Sequence, residues 1–321
     1  MTKNSDMSKA PLYHGKILTI QSHVVHGYVG NRVATFPLQY RGWDVDALNT
    51  VQYSNHLGYG SATGFKYGAD DLCQVLQNGL IDALDIHYDA IITGYTPSEQ
   101  ALEQLSEVIA RTNAKESHQL KWVVDPVLGD NGRLYVSEAV IPVYKSILRE
   151  NKIFLATPNQ FEMELLSGVT INDMTSLKTA MEAFHSLYPL VEKIVVTSVK
   201  FSPSSNYIVA ASDKKATPNG NAIVYFEIPE IKCHFSGSGD LLTALLLDSL
   251  LKQKDNRNLE KALALALWLT GSILQRTYEL AIKEHDIEPI GIPSIKDLKV
   301  IQCLDLLKLV EIPELPSSGY L

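Results

Sequence analysis

Short apolar, β-rich runs alternate with longer helical patterns along this chain. The runs cover Lys16–Gln21, Val45–Asn49, Ala90–Thr93, Trp122–Asp125, Ile153–Ala156 and Ile194–Thr197. Between them lie helix-like segments at about 70–84, 98–112, 138–150, 159–167 and 174–187. Strands that are apolar throughout and separated by helices predict a mostly parallel sheet covered on both faces, an α/β fold. Further on, Tyr207–Ala211 and Ala222–Ile228 read as two strands around an Asn/Gly turn at 219–221, an antiparallel hairpin. Two strong helices follow, at about 239–251 and 258–280, and the Ala262–Leu269 run within the second reads as buried. Residues 1–14 are polar and expected to fray. No linker rich in Pro, Gly or Ser divides the remainder, so 15–321 reads as one domain.

Ligands of such sheets bind beyond the carboxyl ends of the strands, and the residues there are polar or turn-forming. Ser22-His23 follows the first run, Gly94-Tyr95-Thr96-Pro97 the third and Asp125-Pro126 the fourth. Thr157-Pro158-Asn159 follows the fifth and Thr197-Ser198 the sixth. The sharpest local pattern comes later, in Ser236-Gly237-Ser238-Gly239-Asp240 ahead of a leucine-rich helix. Its glycines permit a tight turn, and the helix start aims unpaired N–H groups and a positive dipole end at it, a place for phosphate oxygens. Asp240 in that first turn either complements the dipole or serves as a base beside an anion hole.

Other patterns have two readings each. Asp125 and Asp130 flank a Pro- and Gly-containing turn; they suit Mg²⁺ near a triphosphate, or simply shape the turn. Asn159 and Glu162 have the spacing of a capping box, which explains them by local physics alone. Gly58-Tyr59-Gly60 reads as a flexible turn or flap. The chain has no G-x-x-x-x-G-K-S/T loop, no third glycine of a dinucleotide fingerprint, no H-E-x-x-H and no G-x-S-x-G, which argues against those nucleotide, zinc and hydrolase classes.

Composition narrows the partners. The 321 residues are 45% hydrophobic and 20% charged, as in ordinary globular enzymes, with a formal net charge of −8 and no basic cluster. Nucleic acid and anionic membrane are therefore not expected partners. The three cysteines, Cys73, Cys233 and Cys303, form no C-x-x-C pair, so neither a disulfide framework nor a zinc site is expected. Their spacing fits a reducing compartment, cytoplasmic or nuclear. The N-terminus lacks the apolar run of a signal peptide.

The ordered series of motifs strongly resembles the pyridoxal kinases, from about residue 16 to 280. The resemblance is carried by Ser22-His23-Val24-Val25-His26-Gly27-Tyr28-Val29-Gly30-Asn31-Arg32, Asn49-Thr50-Val51-Gln52-Tyr53-Ser54-Asn55-His56 and Thr93-Gly94-Tyr95. Val124–Asp130, Thr157–Glu162 and Gly237–Asp240 complete it. It implies a ribokinase-like fold, usually dimeric, that phosphorylates pyridoxal, pyridoxine or pyridoxamine with ATP, Mg²⁺ and a monovalent cation, K⁺ or Na⁺. By that resemblance Asp240 is the base, with Gly237, Ser238 and Gly239 forming the anion hole. Ser22, His56, Leu57 and Tyr95 face the vitamer, as does Gly237. Asp125, Thr157, Glu162 and Thr197 surround the monovalent ion and phosphates, and Asp130 serves Mg²⁺. Asn159 and Ser198 contact ATP, while a strand at Ile231–Cys233 borders the nucleotide.

Three departures bear on activity. Leu57 stands where animal pyridoxal kinases carry a small hydroxyl residue, removing a hydrogen bond and adding apolar bulk. Ser238 replaces the commoner threonine. The segment after Asp130, Asn131–Tyr135, is short for a flap over ATP. Two other readings stay open: a hydroxymethylpyrimidine-type kinase, and a weakly active paralogue that carries pyridoxal 5′-phosphate or regulates through it.

Overall fold

The computed structural model describes residues 15–115, 120–201, 204–215, 223–253, 258–285, 294–311 and 318–321. The polar tail at 1–14 and the 219–221 turn lie outside them. Six strands run parallel, in spatial order β2 (Asp44–Tyr53), β1 (Lys16–Val24), β4 (Ala90–Thr93), β5 (Lys121–Val124), β8 (Ile153–Ala156) and β9 (Val191–Lys200). Antiparallel strands close both edges of this sheet. β3 (Gly64–Lys66) pairs with β2, and β10 (Asn206–Asp213), β11 (Ile223–Pro229) and β14 (Ser318–Tyr320) extend it beyond β9. The expected pairing of the 207–211 and 222–228 strands is thus present from Ile223 onward.

The apolar runs are buried because helices cover both faces. One face packs on α3 (Glu99–Lys115), α4 (Val140–Glu150), α5 (Gln160–Ser167) and α6 (Met174–Leu187). In α3, Leu102, Leu105, Val108 and Ile109 recur at helical spacing and are all buried. The other face packs on α1 (Asn31–Tyr40), α7 (Ser238–Leu251) and α8 (Leu259–His285), with the short α9 (Leu304–Leu307) alongside. α7 is apolar all round and buried from Leu241 to Leu250, so it is sandwiched between sheet and α8. The Ala262–Leu269 run is buried as expected. The segment expected as a helix at 70–84 is α-helical only over α2 (Ala69–Cys73) and continues with wider π geometry over Gln74–Ala83.

Several strands outrun their sequence signals, β2 reaching Tyr53 among them, and at β1 and β9 this takes in residues expected beyond the strand. β1 continues through Ser22 and His23, which therefore sit within the strand and not after it. The register slips there, Ser22 of β1 facing both Thr50 and Val51 of β2 between the Gln21–Asn49 and His23–Gln52 pairs. β9 likewise runs past Thr197 to Lys200, with Ser198 at φ +57° where the pairing with β10 skips a residue. Both irregularities lie at the carboxyl end of the sheet. The strand expected at Ile231–Cys233 is a bend; the strand here is β12 (His234–Phe235), which pairs in parallel with β13 (Ser294–Ile295). A two-strand hairpin, β6 (Gly129–Asp130) with β7 (Arg133–Leu134), turns through Asn131 and Gly132, both at positive φ, as an Asn-Gly hairpin turn requires.

Candidate active site

The start of α7 is open. Gly237 precedes it at φ +82° with no side-chain cap, and a Cβ there would overlap the Tyr28 carbonyl oxygen, so only glycine fits. A Cβ on Gly239 would meet nothing within 4 Å, so space lies above the turn. The first N–H groups of a helix have no partner within it. With no side chain supplied at Gly237, they face that space.

Asp240 does not cap its own helix. Its Oδ2 accepts from the Gly30 N–H at 2.8 Å, across 210 residues of sequence. Gly30 has φ +51° and ψ −130°, and a Cβ on it would overlap both the Ser22 carbonyl oxygen and Oγ. The proposed base and Ser22 are thus joined through one glycine. Asn31 fixes that loop: its Nδ2 donates to the carbonyl oxygens of Gln21 and Leu48 and to Asn49 Oδ1, at 2.8 to 3.3 Å. Burial pushes the Asp240 carboxyl above its ordinary range, opposed by the Gly30 hydrogen bond.

Asp125, just past β5, is 7% exposed and accepts from Thr243 Oγ1 of α7 at 3.2 Å. Thr243 also meets Thr157 Oγ1, beyond β8, at 3.1 Å. Burial, then the Asp240 charge, push Asp125 up to about 8. Glu162, 3% exposed, is raised well above its ordinary value by burial and by the charge of Asp125. Buried carboxyls loaded in series, Asp125 by the charge of Asp240 and Glu162 by that of Asp125, suit a cation.

The capping box of α5 is formed in full. Asn159 Oδ1 accepts from Glu162 N at 2.9 Å, and Glu162 Oε2 from Asn159 N at 2.8 Å. Glu162 also accepts from Leu128 and Gly129 N–H through Oε1, while Asn159 Nδ2 donates to the Gly129 carbonyl at 2.7 Å. These bonds tie the Asp130 hairpin to the start of α5. Asp130 is partly buried and its carboxyl lies above the ordinary range through desolvation. Thr197 bridges to Asn159 and donates its N–H to Pro158, which places Ser198 at the same end of the sheet.

His56 begins the turn Leu57–Tyr59 after β2. Its Nδ1 accepts from Gly58 N–H at 3.1 Å and its Nε2 lies 2.8 Å from the Lys296 carbonyl. Leu57 is 60% exposed on that turn. Tyr95, past β4, is partly buried, and its carbonyl accepts from Thr50 Oγ1 at 2.7 Å. Ile231 and Cys233 lie in the bend before β12, where the Cys233 N–H donates to the Ile231 carbonyl at 2.6 Å.

The structure therefore brings Asp240, Ser22, Asp125, Thr157, Asn159, Glu162, Thr197 and Ser198 to one end of the sheet. Sequence reasoning missed Gly30, Asn31 and Thr243 as contributors. Gly30 and Asn31 stood inside a quoted motif, but nothing local marks a glycine N–H as the partner of an acid 210 residues away.

The chain is similar to known proteins over most of its length. The family model for phosphomethylpyrimidine kinase matches residues 75–286. The Saccharomyces cerevisiae protein BUD17, which bears a provisional pyridoxal kinase name, is 51% identical over 94% of this chain and 95% of its own. Pyridoxal kinase of Homo sapiens is 38% identical over 89% of this chain and 93% of its own. The structure of Leishmania donovani pyridoxal kinase in complex with ADP and pyridoxamine superposes with a TM-score of 0.83, at 27% identity, over 96% of this chain and 99% of that one. At this identity and coverage, and with the same fold, the chain belongs to the pyridoxal kinase family of the ribokinase-like superfamily.

Proposed function

We propose that this chain transfers the γ-phosphoryl group of ATP to the 5-hydroxymethyl oxygen of pyridoxal, pyridoxine or pyridoxamine. The observation that carries this reading is the pairing of an uncapped helix start with Asp240, which is held by Gly30 beside Ser22. Phosphoryl transfer asks mainly for positioning and charge neutralisation. Asp240 takes the hydroxyl proton as the oxygen attacks phosphorus, and the N–H groups of the 237–239 turn hold the oxygens of the transferred group. Ser22, His56 and Tyr95 orient the ring. Asn159 and Ser198 contact ATP, and Ile231 and Cys233 border the nucleotide.

The residues present fit both cations. Asp125, Thr157, Glu162 and Thr197 offer oxygen donors alone, the choice of a hard monovalent ion, K⁺ or Na⁺. Glu162 and Asp125 are buried, and the charge of Asp240 on Asp125 and of Asp125 on Glu162 is an excess that such an ion relieves. Among the described residues no group of three His, Cys, Asp or Glu converges as a metal cage. That matches Mg²⁺, which binds through one or two carboxylates, here Asp130, together with waters and substrate phosphates. Bound there, Mg²⁺ neutralises phosphate charge. We also propose a homodimer, and a cytoplasmic or nuclear site in keeping with free Cys73, Cys233 and Cys303. Among the described residues no helix is long and apolar enough to cross a membrane.

Turnover across vitamers tests the reading. ADP formed in step with phosphorylated pyridoxal is the expected result. Pyridoxal 5′-phosphate binding without ADP formation would mark a carrier. A second reading draws on the phosphomethylpyrimidine kinase description of the family model: a higher kcat/KM on hydroxymethylpyrimidine than on any vitamer would establish it instead. Within the vitamer pocket, Leu57→Thr restores a hydroxyl and removes bulk, and is expected to lower KM for pyridoxal about threefold or more. An unchanged KM would show that Leu57 does not face the ring.

A further inference from the structure

The turn that carries His56 and Leu57 is fastened to a distant part of the chain. Tyr59 Oη donates to Asp297 Oδ2, and His26 Nε2 lies 3.3 Å from the same oxygen. Lys296 Nζ donates to the Gly58 carbonyl and sits 5.8 Å from the Tyr59 ring centroid. The His56 and Tyr59 rings are 4.9 Å apart. Asp297 also packs against Gly27, where any Cβ would overlap Oδ1. That oxygen is buried without a hydrogen-bond partner and lies 4.0 Å from His56 Nε2. One carboxylate therefore gathers three elements: the loop after β1, the turn after β2 and the segment after β13.

The bonds to His56 fix its tautomer. A backbone N–H can only donate, so Nδ1 is the acceptor from Gly58. A carbonyl can only accept, so Nε2 carries the proton that goes to Lys296. Partial desolvation and the Asp297 carboxylate together push the Tyr59 hydroxyl up to about 12, so it stays a donor well beyond neutral pH. Burial does little to hold the turn, since Leu57 is 60% exposed, Tyr59 is 40% exposed and none of the Leu57–Tyr59 residues is buried. Besides the latch it has its own backbone bonds and Asn55 Nδ2, which donates to the carbonyls of His56 and Ser61.

We propose that Asp297 is a positioning residue for the vitamer: it latches the Leu57–Tyr59 turn and thereby sets the pocket wall formed by His56 and Leu57. This rests on the vitamer kinase reading given above. An unlatched turn spends only part of its time in the competent arrangement, which weakens apparent affinity by that fraction. The effect falls mainly on the vitamer, although β13, which leads into Lys296 and Asp297, pairs with β12 beside Ile231 and Cys233. The latch stands at the ends of β1 and β2, whereas Asn159, Thr197 and Ser198 follow β8 or lie in β9, with β4 and β5 in between.

The test measures KM for pyridoxal and for ATP, and kcat, in Asp297→Ala, Tyr59→Phe and the double variant. Asp297→Ala is expected to raise KM for pyridoxal about tenfold, with KM for ATP and kcat within about twofold of the unaltered protein. Tyr59→Phe is expected to do the same more weakly, and the double variant to resemble Asp297→Ala, since both remove one latch. Tyr59 is a surface side chain, so Tyr59→Phe remains informative if Asp297→Ala does not fold. An unmoved pyridoxal KM in an active variant overturns the latch while leaving the kinase reading intact. An equal rise in both KM values also overturns it, because general loosening of the fold would produce that. Failure of the unaltered chain to phosphorylate pyridoxal overturns the kinase reading itself, and the latch with it.

Discussion

Helices α5 and α7 both start at the carboxyl end of the sheet, and both carry an acid in the first turn, Glu162 and Asp240. At α5 the acid turns back on its own helix start. Asn159 and Glu162 satisfy each other, and Glu162 spends its second oxygen on the Leu128 and Gly129 N–H groups. At α7 a glycine stands where a cap would be, and the acid reaches away to Gly30. Both helices have the same dipole and the same orphan donors. The difference is who answers them. α5 is closed by its own sequence and serves as a fixed wall. α7 is left without a side-chain cap; in the proposed function incoming phosphate oxygens complete it, while a partner from the other end of the chain holds the acid.

The contrast breaks most sharply at Asp240. Asp240→Asn keeps an acceptor for Gly30 but loses the basic carboxylate that takes up the proton, so kcat is expected to fall by about 10²- to 10⁴-fold with ATP affinity little changed. Stability should not fall. The folded state holds the Asp240 proton more tightly than the unfolded chain, so ionisation above the ordinary value of 3.8 detracts from stability at neutral pH, and the amide removes that cost. The raised carboxyl also places the acid limb of the wild-type rate profile above the ordinary aspartate range. Near wild-type turnover in Asp240→Asn would reduce α7 to a helix with a dipole-complementing acid.

Gly30→Ala comes next in size. It forces a Cβ into the Ser22 carbonyl at a backbone angle that ordinary residues avoid. The expected loss is about 1–3 kcal/mol in a denaturant melt, with kcat falling by more than the melt accounts for, since the Gly30 N–H leaves Asp240. A variant with wild-type kcat would show that the acid needs no distant partner.

The two helix starts also mark what could be read from the sequence. The parallel strands were legible because buried strands have no polar alternation, and the α5 cap because its residues are three apart. The glycine turn ahead of α7 was legible because Gly237 and Gly239 adjoin an apolar helix. The partners of α7 were not. Gly30 and Thr243 act through contacts that span 210 and 118 residues, and no local period encodes such a distance. Ser22 was expected after β1, yet the strand runs on through it, because pairing with β2 continues past a register slip that apolar pattern does not reveal. The strand expected at Ile231–Cys233 falls instead at His234–Phe235, set by its pairing with β13 sixty residues later. Asp297 was not singled out at all, because its importance arises only where three loops meet.

The smallest effect separates the two starts by stability alone. Asn159→Ala removes a cap that satisfies the Glu162 N–H and a bond to the Gly129 carbonyl. It is expected to cost about 1–2 kcal/mol, read as a shift in denaturant midpoint. Ser238→Ala removes a hydroxyl from a helix start that has no side-chain cap hydrogen bond, so its midpoint should move by no more than about 0.5 kcal/mol. Measured side by side without nucleotide, the two variants ask whether α7 is held open at rest. If Ser238→Ala destabilises as much as Asn159→Ala, then α7 is closed by its own side chains like α5. The N–H groups would then be occupied before any phosphate arrives. If only Asn159→Ala does, the open start is a standing feature of the fold, built in before the ligand binds.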